Sequence, residues 1–88
     1  MNRVVAYQLL SSELAIYRQI PFQDLVAAVG TTNTEIVRAE DSTNYVIEVA
    51  IAWRGESTDE IKVDGMAGTT DSGPLGRIDE SFVVRKNS

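Results

Sequence analysis

The apolar residues of this chain change their spacing once, close to Gly30. Before that point they recur every three or four residues, which is the spacing of an amphipathic α-helix. After it they alternate with polar residues, which is the pattern of a half-buried β-strand. The sequence therefore predicts a helical segment followed by a longer segment of strands.

The helical segment is predicted to hold two helices separated by Pro21. The first covers residues 3–20, because a proline disfavours helical geometry at the residue before it. The second covers residues 22–29 and ends at Gly30, which can adopt the left-handed conformation that closes many helices. The apolar stripe of the first helix consists of Tyr7, Leu10, Leu14 and Tyr17, widened by Ala6, Leu9, Ile16 and Ile20.

Four strands are predicted in the rest of the chain, and the clearest is 45–53. Its odd-numbered residues are large and apolar and share one face, whereas Val46, Glu48, Ala50 and Ala52 lie on the other. Weaker patterns predict strands at 35–39, 61–65 and 78–85, the last with Phe82 and Val84 in the core. Residues 66–77 contain three glycines and a proline and are predicted to form a long loop.

These elements predict a single α+β domain that occupies residues 1–88. An N-terminal helix and a short second helix pack on one face of a four-stranded antiparallel meander, because sequential strands joined by turns usually pair with their neighbours. The polar tail 86–88 is expected to be frayed.

Six short stretches of core and turn residues carry a resemblance to other proteins. They are Tyr17-Arg18, Leu25-Val26, Val29-Gly30, the strand 45–53, Pro74-Leu75 and residues 81–84. Together they resemble a family of small uncharacterised bacterial α+β domains, over most of the chain. The resemblance implies the fold and assigns no reaction, substrate or functional residue.

Composition restricts the chemistry that is open to the chain. It has 13 acidic and 8 basic residues, a net charge of −5, and neither cysteine nor histidine. A negative field repels phosphate backbones and anionic membranes, so we expect neither nucleic acid nor membrane as a partner. The lack of cysteine excludes disulfides and thiolate metal sites, and the lack of histidine excludes the commonest general base. With no signal-peptide pattern and no apolar run of ~20 residues, we expect a soluble, cytoplasmic protein of bacterial type.

Several motifs that suggest chemistry fail on their details. Asp59, Glu60 and Asp64 lack the alternating acids of an EF-hand and are better explained as a solvated turn. Asp79 and Glu80 are neighbours on a predicted strand, so they point to opposite faces and cannot share a substrate atom. The glycine-rich residues 65–76 lack the lysine and the following helix of a phosphate loop. We therefore predict no catalytic, cofactor-binding or metal-binding residue.

Trp53 is the only tryptophan and could serve as a ligand platform or a binding hot spot. It continues the apolar face of the predicted strand 45–53, in register with Ile47, Val49 and Ile51. This register favours a place in the core or at its rim.

The remaining hypothesis is a non-catalytic protein-binding module, for example an immunity or inhibitor protein. Its partner would be another protein, such as a basic one, or a second copy of the chain in a homodimer. The residues predicted to bind are Glu56, Asp59, Glu60, Asp64, Asp71, Val46, Glu48 and Ala50. Two alternatives stay open: a small carboxylate-based or metal-dependent enzyme, and a homo-oligomeric scaffold built on the second face of the central strand.

Overall fold

A computed structural model describes residues 2–56, 58–70 and 76–86. Its elements are α1 (Arg3–Arg18), α2 (Phe22–Val26), β1 (Thr32–Arg38), β2 (Asn44–Trp53), β3 (Glu60–Thr69) and β4 (Ile78–Arg85). The strands form one antiparallel sheet in the order β1-β2-β3-β4, and both helices pack on one of its faces. The predicted α+β fold is confirmed. No helix in the described part of the chain is long and apolar enough to cross a membrane.

α1 begins at a capping residue that the sequence supplies. The side-chain oxygen of Asn2 accepts hydrogen bonds from the backbone N–H groups of Val4 and Val5, at 3.0 and 3.2 Å. These bonds satisfy two of the donors that a helix start leaves without an internal partner. The helix ends at Arg18, two residues before the predicted end, because the chain must turn out of helical geometry ahead of Pro21.

α2 is shorter than predicted, since it ends at Val26 and not at Val29. Gly30 has φ +90° and donates its N–H to the carbonyl of Ile51 at 2.8 Å. The next residue, Thr31, accepts a hydrogen bond from the N–H of Ile51 at 3.0 Å. This early attachment to β2 draws the chain out of helical geometry. It also makes β1 begin at Thr32, three residues before its predicted start.

The prediction of a loop over residues 66–77 was wrong in its first part, because β3 continues to Thr69. A Cβ on Gly65 would lie 2.7 Å from a methyl carbon of Leu10 and 2.9 Å from one of Leu14. Glycine is therefore required at position 65, where α1 crosses β3, although glycine is also typical of turns. β4 has the predicted limits, and Lys86 continues the pairing by donating its N–H to the carbonyl of Asp59 at 2.9 Å.

The core lies between α1 and the face of the sheet that carries the odd-numbered residues of β2. It consists of Ala6, Leu10, Leu14, Leu25, Tyr45, Ile47, Val49, Ile51, Ile61, Val63 and Ala67. Of the eight residues of the predicted helical stripe, Ala6, Leu10 and Leu14 are in the core. Leu9, Tyr17 and Ile20 are partly buried against it, and Tyr7 and Ile16 are 53% and 59% exposed. The stripe is therefore narrower than predicted, since a single helix lying on a flat sheet buries little more than one line of side chains.

The rim of the core holds the remaining large side chains. Trp53 is half-buried and lies against Phe22, with ring centroids 6.1 Å apart, which confirms its predicted place at the rim. Phe82 and Val84 are partly buried against the core, and the guanidinium of Arg18 covers the ring of Phe82 at 4.3 Å.

Candidate functional site

The candidate site is the face of the sheet that the helices leave uncovered, which we call the open face. Strand register assigns its side chains, because residues that pair across neighbouring strands point to the same side. They are Thr32, Thr34, Ile36 and Arg38 of β1; Asn44, Val46, Glu48, Ala50 and Ala52 of β2; Glu60, Lys62, Asp64, Met66 and Gly68 of β3; and Asp79, Ser81, Val83 and Arg85 of β4.

Most of the residues predicted to bind a partner lie on this face. Val46, Glu48, Ala50, Glu60 and Asp64 all belong to it. The other three are Glu56 and Asp59, which are exposed in the turn between β2 and β3, and Asp71, which lies outside the described residues. The predicted set therefore divides into a sheet surface and a hairpin tip.

One end of the open face is occupied by ion pairs. Glu60 accepts from Arg85 at 3.1 Å and from Arg54 at 3.4 Å, and Lys62 lies 3.5 Å from Asp64. Exposed pairs of this kind add little to stability, typically about 0–1 kcal/mol each. Their effect here is to neutralise the charges of this end, so it has no strong preference for a charged partner.

The opposite end is more apolar, and we call it the apolar end; it consists of Ile36, Val46, Met66 and Gly68. Ile36 is 64% exposed, which is unusual for a large aliphatic side chain in a strand. Arg77 approaches from the side, with its guanidinium Nη1 3.4 Å from the sulfur of Met66.

Two carboxylates border the apolar end. Glu48 and Asp79 lie on either side of Met66 in one row across the sheet. None of the ion pairs found in the described part of the chain includes either residue. The same is true of Arg38 on the neighbouring edge strand. These three charges are therefore available to a partner.

The concavities of the open face are shallow. A depression of about 140 Å³ is lined by Val46, Glu48, Met66 and Arg77 with neighbouring backbone. It is below the volume of several hundred Å³ that small-molecule sites usually have. A wider and more open hollow of about 320 Å³ lies over Ala50, between the carboxylates of Glu48, Asp64 and Asp79. No set of three or more acidic side chains among the described residues is arranged to hold a metal ion.

The acidic pair at the start of β4 is divided between the two faces of the sheet. Asp79 is opposite Met66 on the open face, and Glu80 is opposite Gly65 on the covered face. The prediction that these neighbours point to opposite faces is confirmed. The segment that follows the glycine-rich stretch is a strand and not a helix, as the argument against a phosphate loop required.

Two titratable groups with shifted pKa values, Asp41 and Tyr45, lie at the end of the sheet beside the β1–β2 turn. The backbone N–H of Thr43 lowers the pKa of Asp41, and the hydroxyl of Tyr45, which donates to this carboxylate at 2.9 Å, lowers it further. Burial, followed by the hydrogen bond to Asp41, raises the pKa of Tyr45. The backbone N–H of Asn2 donates to the same hydroxyl at 3.4 Å. This group of contacts attaches the start of α1 to the turn between β1 and β2.

Comparisons of the chain with protein-family models, curated proteins and solved structures find no match. The site must therefore be judged by its own chemistry.

Sequence reasoning missed the residues that join the site from neighbouring strands. Alternation within 45–53 placed Val46, Glu48 and Ala50 together, but Ile36 and Met66 join them only through strand register. The available signal was the β-branched pair Ile36-Val37, of which one residue has to face away from the helices.

Proposed function

We propose that this chain is a small non-catalytic module that binds a basic protein through the apolar end of its open face. The observation that carries the proposal is the row Glu48–Met66–Asp79, in which an apolar side chain lies between two carboxylates without ion-pair partners in the described chain. An inhibitor or immunity protein would use such a surface. We place its action in the cytoplasm, a compartment with which the lack of cysteine is compatible.

Two physical effects would act together in such an interface. Covering Val46, Met66 and Ile36 removes apolar area from water, at roughly 25 cal/mol per Å². Lysine or arginine side chains of the partner would meet Glu48 and Asp79, and a net charge of −5 would speed their encounter. The apolar area supplies affinity, and the carboxylates select the sign of the partner's charge.

The shape of the open face favours a protein partner over a small substrate. The open face has a depression of about 140 Å³ and a wide, open hollow of about 320 Å³, and neither encloses a ligand on several sides, whereas such a surface can match another flat surface. The enzyme hypothesis needs several acids converging on one point. Of the acids considered for it, Glu60 and Asp64 are on the open face and Asp59 is in the β2–β3 turn, and no three acids of the described chain are grouped closely enough to hold a metal ion.

The proposal is tested by comparing what three immobilised proteins capture from an extract of the source cells. They are the natural protein, Met66→Arg, and the control Ser12→Arg on the exposed side of α1. Both substitutions add the same charge, so they differ only in location. We expect a basic protein to be recovered with the natural protein and the control and roughly tenfold less with Met66→Arg.

Circular dichroism and a melting curve would show that each variant is folded. Recovery of the same proteins in equal amounts on all three would overturn the proposal. So would an acidic protein that is lost only with Met66→Arg.

A further inference from the structure

β1 is an edge strand whose outer side is open. Two hydrogen bonds fix which of its residues pair inward: Ala39 N–H donates to Thr43, and Ile51 N–H donates to Thr31. Because inward pairing alternates along an antiparallel strand, residues 33, 35 and 37 also bond to β2. The backbone N–H and C=O groups of the four even-numbered residues therefore point away from the sheet. These residues are Thr32, Thr34, Ile36 and Arg38.

The strand has the properties of a pairing surface. Six of its seven residues are exposed, and it contains no proline. Natural edges are usually protected by charges, prolines or bulges. β1 has one acid and one base, Glu35 and Arg38, so it is locally neutral within an acidic chain. The other edge, β4, has the acids Asp79 and Glu80 at its start, which oppose approach by a second acidic chain.

We propose that two copies of the chain pair antiparallel through β1, about a two-fold axis at Ile36. The two four-stranded sheets then form one sheet of eight strands. In this register Ile36 lies opposite Ile36 of the second copy, and Glu35 lies opposite Val37 of the second copy. This proposal shares Ile36 and Glu48 with the surface of the function proposed above, but it does not depend on that function because it involves no other protein.

Side-chain pairing selects this register over its neighbours. With the axis at Glu35, the two copies of Glu35 would lie directly opposite each other, and like charges in that position are destabilising. With the axis at Thr34, Ile36 would lie opposite Thr32 of the second copy, and little of its apolar surface would be covered by another apolar side chain. With the axis at Ile36, that side chain and Val46 form one apolar row that continues through both copies.

Charge complementarity supports the same register. Arg38 is placed opposite Thr34 of the second copy, and Thr34 pairs with Glu48 inside its own sheet. Two strand spacings, about 10 Å, then separate the α-carbons of Arg38 and Glu48 of the second copy. An arginine and a glutamate side chain span that distance across a small threonine. The symmetry supplies this ion pair twice, from residues that have no ion-pair partner in the described chain.

The pair cannot form within one chain. Arg38 lies opposite Asn44, which is four residues from Glu48 along β2. That spacing is about 13 Å in a strand, and both residues lie on the same face. Rescue of one charge reversal by the other is therefore specific to the dimer.

Sedimentation equilibrium on four charge variants tests the proposal. They are Arg38→Glu, Glu48→Arg, the double reversal, and the control Arg3→Glu on exposed helix surface. Because the edge buries a small area, we expect a reversible monomer–dimer equilibrium for the natural protein. Each single reversal at the interface should weaken association roughly tenfold, and the double reversal should restore it to within about threefold. The control should associate like the natural protein.

A cysteine pair gives an independent measurement, because the natural chain has no cysteine. Ile36→Cys puts two thiols opposite each other across the axis, at an α-carbon separation of about 5.5 Å that suits a disulfide. Val83→Cys is the matched control on the other edge. We expect covalent dimers to form at least roughly tenfold faster with Ile36→Cys.

Three results would overturn the proposal. One is a monomer at every concentration up to the millimolar range. Another is a double-reversal variant whose association is weakened by as much as the two single reversals together. The third is faster cross-linking through Val83→Cys. Each is obtained with purified protein alone, so a failure of this proposal is distinguished from a failure to bind a basic protein.

Discussion

The two faces of the sheet are formed by alternate residues of the same strands, yet they differ in what surrounds them. On β2, Tyr45, Ile47, Val49 and Ile51 are at most 5% exposed beneath the helices. The residues between them include Val46, Glu48 and Ala50, which are only half-buried and meet no helix. Among the described residues, the covered face buries no charged side chain and no polar group besides the hydroxyl of Tyr45, whereas the open face mixes apolar groups with five acidic and basic residues on β3 and β4 alone.

This difference separates the requirements of folding from those of binding. In a sheet covered on one side, stability depends on one alternate set of residues and leaves the other set free. The open face keeps apolar side chains where simple solvation would favour threonine or lysine. Such a face is the part of the molecule on which a function can be expected.

The largest difference between the faces should appear when one side chain is shortened on each. Leu14→Ala removes fully buried methyl groups and should lower the free energy of unfolding by about 3 kcal/mol. Met66→Ala on the open face should lower it by less than about 1 kcal/mol. Urea denaturation of both variants measures the contrast. Equal losses would mean that the open face is covered in solution.

The strand backbone offers a second contrast, between inward and outward groups of β1. Glu35→Pro removes an N–H that bonds to β2 and should cost about 2 kcal/mol or more. Thr34→Pro removes an outward N–H, and proline at such a position is tolerated on edge strands, so the cost should stay near or below about 1 kcal/mol. Urea denaturation distinguishes them. A reversed order would show that the inward and outward residues have been exchanged.

Sequence reasoning performed well wherever local pattern and fold agree. The switch of period near Gly30 predicted helices followed by strands, and alternation predicted β2 and β4 with almost their observed limits. It failed from Met66 to Thr69, where the glycine and alanine content suggests a loop and β3 continues. Gly65, just before them, has no room for a side chain because Leu10 and Leu14 approach it, and this requirement comes from tertiary packing.

Only part of the candidate site could be predicted from the sequence, for a similar reason. Val46, Glu48 and Ala50 belong to one strand, so alternation alone grouped them. The placement of Met66 between Glu48 and Asp79 depends on the register of three strands. Register is set by turn lengths and by which faces are buried, and neither is visible in one strand.

The contribution of Asp41, at the end of the sheet, to the stability of the fold should depend on pH in the acid range. Because the folded pKa of Asp41 is lowered, chiefly by the Thr43 N–H, its carboxylate stabilises the fold above its ordinary value of 3.8. This contribution is lost as the pH falls through the lowered folded value. Asp41→Asn should therefore have a melting temperature that depends less on pH below 4 than that of the natural protein. Ser12→Ala, which changes no titratable group on the exposed side of α1, is the control and should keep the natural slope.

The smallest expected effect concerns the sign of a charge added at the centre of the open face. Ala50 lies directly opposite Asp64, so Ala50→Glu introduces a like-charged pair and Ala50→Lys an opposite one. The lysine variant should be the more stable by about 0.5–1 kcal/mol at low salt, and the difference should shrink as salt screens it. Urea denaturation at two ionic strengths measures both quantities.

A position facing the helices would respond differently, because either charge would then be buried and would cost several kcal/mol without regard to sign. A large, equal and salt-independent loss in both variants would therefore exchange the two faces of β2, and with them the division between core and candidate site.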